Sequence, residues 1–238
     1  MIAVFVNMGT VLLGSMLGIL LRNRLKESFQ NALIKALALC TVVIGVSTAI
    51  GTKELLCVIL SMALGTALGE LLHIDDGIEH AGDAIKNKLF RGKTGNSRFT
   101  EGFVSACILF CIGSMTIVGS LKAGIEGDYS IIYAKSALDF VSSMAFAAAM
   151  GVGVPCSVVF ILLFQGGLTL LAGLVGPALS EAVVAEMSAV GGTILIGMAV
   201  NMLGLGKERI KVANMLPAIF LPIAYIPLAS WISGLIGG

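Results

Sequence analysis

Apolar stretches long enough to cross a bilayer recur along almost the whole chain. A transmembrane helix needs about 20 mostly apolar residues, and this pattern predicts an all-α integral membrane protein of about eight spans. The first stretch begins at the second residue with no basic region ahead of it, so we expect a retained span and not a cleaved signal peptide. The predicted spans cover residues 2–21, 32–51, 54–72, 102–121, 130–150, 154–175, 187–205 and 212–236.

One polar segment, residues 73–100, interrupts this series. Its first part, IDDGIEHAGDAIKNKLF, carries apolar residues at helical spacing, acidic residues near its start and basic residues near its end. This arrangement predicts a helix at the cytoplasmic membrane surface, followed by a short connector. His80 with Asp76 or Asp83 resembles metal-ligand spacing, but such spacing is common on charged helices, so a solvated charged face is the better explanation and no metal is expected.

The spans fall into four consecutive parts of a single membrane domain, residues 1–238. A first group of three spans occupies residues 1–72, and the surface helix with its connector follows at 73–100. A central hairpin of two spans covers 102–150, and a second group of three spans covers 154–236.

Composition and loop charge add a class and an orientation. Of the 238 residues, 57% are hydrophobic and 12% are charged, and the formal net charge is +1, so we expect the lipid bilayer and no nucleic acid as a partner. Eleven Lys and Arg residues lie in the first, third and seventh loops, and two lie in the second and fourth. Because cytoplasmic loops are enriched in basic residues, this alternation predicts that both termini lie outside the cytoplasm.

Short internal matches suggest that the chain contains a repeat. IGVSTAIGT at 44–52 matches IGSMTIVGS at 112–120, and TVVIG at 41–45 matches TILIG at 193–197. In addition, Asn7, Gly9 and Gly18 align with Gln165, Gly167 and Gly176 at a constant offset in residue number. Spans one to three would then recur upside down as spans six to eight, an inverted repeat of the kind found in secondary transporters. The alternative is coincidence among glycine-rich apolar segments.

Proline and glycine predict how the helices bend and meet. Pro217, Pro222 and Pro227 fall inside the last span and predict a kinked or broken helix. GSMLG at 14–18 and GTALG at 65–69 are pairs of small residues that allow close helix contact. They prompt the expectation of a homodimer, with contacts inside one chain as the alternative.

Nine polar residues fall inside predicted spans and form the candidate binding site for a substrate or ion. Lone polar residues in membrane helices often serve only as interhelical hydrogen bonds. Together, however, amides, hydroxyls and one carboxylate can hold a small cation or a polar solute. The nine are Asn7, Thr48, Ser114, Thr116, Lys135, Asp139, Gln165, Asn201 and Asn214.

Lys135 and Asp139 are the charged members of this set, and their spacing of four residues places them on one helix face. One hypothesis is that the pair is a salt bridge that fixes helix packing. The other is that Asp139 binds a coupling cation, H⁺ or Na⁺, in a central polar cavity with Ser114 or Thr116, Gln165 and Asn214, and that Lys135 modulates it.

Several motifs together resemble the bacterial domain-of-unknown-function 554 family. They are GSMTIVGS at 113–120, KSALD at 135–139, Gln165 before two glycines, GG before ILIG, and NMLP at 214–217. The resemblance covers the whole chain and implies a multi-pass protein of the bacterial inner membrane. Members are commonly labelled as transport proteins without an assigned substrate, so the family supplies no binding residues or cofactor.

These observations predict an ion-coupled secondary transporter of a small ion or polar solute, with no cofactor. The alternatives are a membrane scaffold or sensor subunit without transport activity, and a passive ion channel. We do not expect an enzyme, because HExxH, GxSxG and GxGD motifs are absent, and GIEGD at 124–128 has the wrong spacing for the last of these.

Overall fold

The computed structural model describes residues 1–22, 24–80, 99–111 and 114–236, and the described chain is helical without a strand. We label eleven α-helices and one long 3₁₀ segment in chain order. They are α1 (Ile2–Arg22), α2 (Glu27–Ala49), α3 (Leu55–Leu71), α4 (Ile74–His80), α5 (Phe99–Cys111), α6 (Ser114–Ile125), α7 (Ser130–Met150), α8 (Gly153–Leu170), α9 (Ala172–Val175), α10 (Glu181–Leu203), the 3₁₀ segment (Val212–Phe220) and α11 (Pro222–Ile236).

Five of these helices are long and apolar enough to cross a membrane alone, namely α1, α2, α7, α8 and α10. Three bent pairs bring the total to as many as eight spans: α3 with α4 (50°), α5 with α6 (56°), and the 3₁₀ segment with α11 (44°). The predicted membrane class and helical fold are confirmed. The last pair shows the expected break, where Pro217 and Pro222 cannot donate intrahelical hydrogen bonds.

Two predicted spans differ from the structure in a way that affects the site. The span predicted at 102–121 is not one helix, because α5 ends at Cys111 and α6 begins at Ser114. The span predicted to start at residue 187 begins at Glu181, where the Ser180 hydroxyl accepts a hydrogen bond from the Val183 amide at 3.3 Å. This N-cap extends α10 beyond the apolar run that defined the prediction. The segment predicted as a surface helix is helical over α4, and its part beyond His80 lies outside the described residues.

Contacts at the helix ends agree with an alternating path through a membrane. Arg22, at the end of α1, donates to the carbonyl of Ala149 at the end of α7, so α1 and α7 run parallel. After α2, Thr52 donates to Glu186 near the start of α10 at 2.6 Å, so α2 and α10 run antiparallel. Parallel spans one and five and antiparallel spans two and seven are the directions expected if every predicted span crosses once.

Glycines let the helices of one chain approach closely. A Cβ at Gly45 would lie 2.8 Å from the carbonyl of Gly192, which brings α2 and α10 into backbone contact. Gly14 meets α7 in the same way, and Gly65 meets Ala218 of the 3₁₀ segment. The two small-residue pairs that prompted the homodimer expectation therefore serve contacts inside one chain.

The outside of the bundle is apolar, as a lipid-facing surface must be. Large side chains on the outer helices stand exposed, among them Leu13 (60%), Leu64 (61%) and Trp231 (64%). Soluble monomers rarely expose contiguous apolar surface on this scale. Polar and charged residues such as Asn7 and Glu186 are buried inside instead.

Candidate functional site

A buried ion pair lies at the centre of the candidate site. Lys135 and Asp139 stand one turn apart on α7, and the Lys135 ammonium donates to the Asp139 carboxylate. Each residue is only 6% exposed. The ammonium also lies 5.9 Å from the centre of the Phe110 ring, and Cys111 is within electrostatic reach of both charges. The two charges are thus held away from both water and lipid.

Two interruptions of regular helix surround the pair. The first is the break between α5 and α6, where the Thr116 hydroxyl donates to the Phe110 carbonyl at 3.0 Å and so satisfies a group that the break frees. The second is a π-helical turn of α8, Leu162–Gly166, which contains Gln165 and packs against α6. Such turns occur frequently at functional sites because they redirect a side chain that an α-helix would point elsewhere.

Two amide side chains link these elements to α1. The Asn7 amide donates to the Gln165 side-chain oxygen at 3.0 Å, and both residues are fully buried. The Asn7 side chain also interacts with the Asp139 carboxylate. Asn7 Oδ1 and Gln165 Nε2 have no hydrogen-bond partner among the described residues. Buried polar atoms are nearly always paired, so unpaired amides beside an ion pair mark a place where a ligand or water can bind.

The structure therefore brings together five of the nine predicted positions. Asn7, Thr116, Lys135, Asp139 and Gln165 share the interior around the α5/α6 break. Ser114 begins α6 at the same break, and its side chain lies outside the described part of the chain.

Three predicted site residues form their hydrogen bonds elsewhere, and the expectation that one of them, Asn214, joins Asp139 has to be corrected. The Thr48 hydroxyl donates to the Ile44 carbonyl of its own helix at 2.7 Å. Asn201 holds the loop after α10 through two hydrogen bonds to the backbone of Ile210. Asn214 accepts from the amide of Asp75 at 2.7 Å, because the 3₁₀ segment packs along α3 and brings its first turn to the α3/α4 break.

Sequence reasoning missed a second buried carboxylate, Glu186, which is 2% exposed. Its oxygens accept from the Thr52 hydroxyl at 2.6 Å and from the amides of Lys53 and Glu54 at 2.8 and 3.2 Å. These amides precede and begin α3, so Glu186 caps that helix from a distant part of the chain. The predicted start of the span at residue 187 left this residue just outside the membrane interior.

A cluster of charges pins the α3/α4 break to the loop after α10. Arg209 donates to the buried Asp75 carboxylate at 2.6 Å, and Lys211 donates at 3.2 Å to Asp76, whose side chain is 43% exposed. The hydrogen bond to Asp76 raises the pKa of Lys211. At the break itself, His73 adopts a positive φ of 51°, which is uncommon for a side chain of this size. In the described residues no group of three His, Cys, Asp or Glu side chains is arranged to hold a metal ion.

A protein family described as "Protein of unknown function (DUF554)" matches residues 2–226 of the chain. The chain belongs to this family. It is 33% identical to "Uncharacterized protein YqgA" of Escherichia coli strain K12, over 95% of this chain and 96% of the relative. It is 27% identical to "Uncharacterized membrane protein YdfK" of Bacillus subtilis strain 168, over 91% of each chain. No solved structure matches the chain significantly.

The family agrees with the resemblance seen in the sequence, and the name of the second relative agrees with a multi-pass membrane protein. Neither relative's name carries a substrate or an activity.

Proposed function

We propose that this protein is an ion-coupled secondary transporter of a small ion or polar solute, and not an enzyme. In this proposal the Lys135–Asp139 pair is the coupling element. The protein lies in the bacterial inner membrane with both termini outside the cytoplasm, as its loop charges predict.

The observation that carries the proposal is the burial of this pair beside two interrupted helices. Two charges in a membrane interior cost several kcal/mol of desolvation, and an apolar pair of similar volume would pack a helix bundle at least as well. Irregular backbone at membrane depth is tolerated where it is buried in protein or lines a cavity. Both features are typical of transporter sites formed by discontinuous helices near the midplane.

Contacts between distant elements support an inverted repeat, which secondary transporters commonly contain. α1 meets α8 through Asn7 and Gln165, the residues that the internal alignment pairs. α2 packs on α10, and α3 packs on the 3₁₀ segment, so each predicted element meets its predicted equivalent. Contacts between equivalent elements are expected where a two-fold axis relates the two groups of three spans.

The test is solute flux in liposomes that contain the purified protein, under an imposed proton or sodium gradient, with amino acids, small anions and cations as solutes. We expect Asp139→Asn to abolish the dependence of flux on the gradient. Glu126→Gln, which neutralises an exposed carboxylate on the loop after α6, is the control and should behave like the wild type.

Each other outcome assigns the pair a different role. Coupled flux through Asp139→Asn at the wild-type rate would reduce the pair to a packing salt bridge. Flux that dissipates every gradient without coupling would identify a passive channel. A folded protein that moves none of the solutes would favour a scaffold or sensor subunit.

A further inference from the structure

We infer that the ligand of this site is a small carboxylate anion, bound by Lys135 together with one proton that Asp139 takes up. The inference rests on the transport function proposed above and specifies its substrate class and its coupling ion. The bound anion replaces Asp139 as the partner of Lys135, and the carboxyl group of Asp139 becomes neutral.

The charge balance of the buried pair limits which ligands can bind. The pair is neutral as it stands, because one ammonium faces one carboxylate. An anion that binds to Lys135 leaves a carboxylate without a partner, and that group becomes neutral when it binds one proton from solution. A cation that binds to Asp139 leaves an ammonium without a partner, and that group becomes neutral only when it releases one proton. The two cases move the proton in opposite directions.

The surroundings of Lys135 favour the first case. Its ammonium faces the Phe110 ring, and such a ring attracts a cation even when the carboxylate has left. The unpaired Nε2 of Gln165 offers further hydrogen-bond donors inside the same cluster. α6 begins at the break with amide groups that have no intrahelical acceptor, and half-helix starts of this kind bind anionic groups in other transporters.

Among the described residues of this cluster, few oxygens are free of hydrogen bonds and able to join Asp139 in binding a hard cation. The Phe110 carbonyl already accepts from Thr116, and the Gln165 side-chain oxygen already accepts from Asn7. Asn7 Oδ1 is the one other side-chain oxygen of the described cluster without a partner. Calcium takes six to eight oxygen ligands, and magnesium takes an octahedral set. If the oxygen and nitrogen positions are interchanged in the side chains of both Asn7 and Gln165, the two amides still have one free donor group and one free acceptor.

Binding to detergent-purified protein tests the inference without a transport assay. The probes are acetate, lactate, succinate and glutamate, compared with the chlorides of lithium, sodium and potassium. Thermal unfolding reports binding, and a pH indicator in weakly buffered solution reports proton exchange. We expect a carboxylate to raise the melting temperature with uptake of about one proton per site. Its affinity should fall about tenfold per pH unit as the pH rises, because each binding event needs one proton.

Variants locate the binding event. Lys135→Gln should weaken carboxylate binding by at least tenfold, while Lys135→Arg, which keeps the charge, should retain it. Gln165→Leu removes a donor without touching the ion pair and should weaken binding about tenfold, so it tests the same site if Lys135→Gln does not fold. Lys53→Gln, at an exposed lysine outside the site, is the matched control.

The direction of proton exchange separates the failure of this inference from the failure of the proposed function. Stabilisation by a cation with proton release would overturn the anion assignment and leave transport intact. If the affinity for carboxylates changes neither with pH nor in the Lys135→Gln variant, the assignment of the binding site to Lys135 and Asp139 is wrong. Absence of stabilisation by every carboxylate would also overturn the inference, and the liposome assay would then decide on transport separately.

Discussion

Removing one member of the Lys135–Asp139 pair should destabilise the protein with a pH dependence whose sign reveals which charge is left. Asp139→Asn leaves a buried ammonium, and Lys135→Gln leaves a buried carboxylate, since both residues are 6% exposed. Breaking a buried pair in this way costs about 3–5 kcal/mol. The double variant removes both charges and should recover most of that loss.

The loss in each single variant has an upper limit, because the remaining group can become neutral. A lysine with an ordinary pKa of about 10.4 releases its proton at pH 7 at a cost of about 5 kcal/mol, and an aspartate with an ordinary pKa of about 3.9 takes one up for about 4 kcal/mol. For Asp139→Asn, this upper limit on the loss of stability falls by about 1.4 kcal/mol for each unit by which the pH rises. The reason is that the unfolded chain binds one more proton than the folded chain, whose buried lysine is neutral. For Lys135→Gln the limit falls by the same amount for each unit of decrease.

Thermal unfolding in detergent at pH 6, 7 and 8 provides the measurement, with the emission of Trp231, the single tryptophan, as the signal. Glu126→Gln controls for the loss of an exposed carboxylate. Relative to wild type, Asp139→Asn should gain stability towards pH 8, and Lys135→Gln should gain it towards pH 6. Parallel pH slopes, or losses below about 1 kcal/mol in both variants, would refute a buried and mutually dependent pair.

Three further predictions address packing, the charged cluster and topology. Gly14→Ala should lower stability by about 1–3 kcal/mol, because its Cβ would overlap the backbone of α7, whereas Gly9→Ala in the same helix meets nothing and should not. Arg209→Gln should lower the melting temperature more than Lys211→Gln, because it leaves the buried Asp75 carboxylate without its partner, whereas Lys211→Gln affects the half-exposed Asp76; equal effects would contradict this. A cysteine placed at Glu126 should react with an impermeant maleimide from outside intact cells, and labelling only after lysis would reverse the topology.

The sequence predicted the membrane-spanning helices well because hydropathy reports lipid exposure directly. The span predicted at 130–150 coincides with α7, and the spacing of Lys135 and Asp139 correctly predicted a pair on one face. The break between α5 and α6 was not predicted, because the apolar run continues through it. Hydropathy does not report a change in the direction of a helix axis.

Residues that pair across long distances could not be assigned from a local pattern. Asn214 lies in an apolar run, and its partner is the backbone of Asp75, 139 positions away. Glu186 satisfies amides more than 130 positions earlier in the chain. A polar residue inside a span indicates that it has a partner, but the packing of the helices decides which partner it has.

The Asn7–Gln165 contact joins the repeat hypothesis to the site, and exchanging the two side chains tests it. Asn7→Gln adds a methylene to a fully buried position, and Gln165→Asn removes one, so each change alone should cost about 1–3 kcal/mol through overpacking or a cavity. The double exchange conserves volume, but it restores the hydrogen bond only if the two backbones stand in equivalent positions around an axis. We therefore expect the double variant to unfold within about 1 kcal/mol of wild type. If its loss equals the sum of the single losses, the positions are not equivalent, and the constant offset between them in the sequence is coincidence.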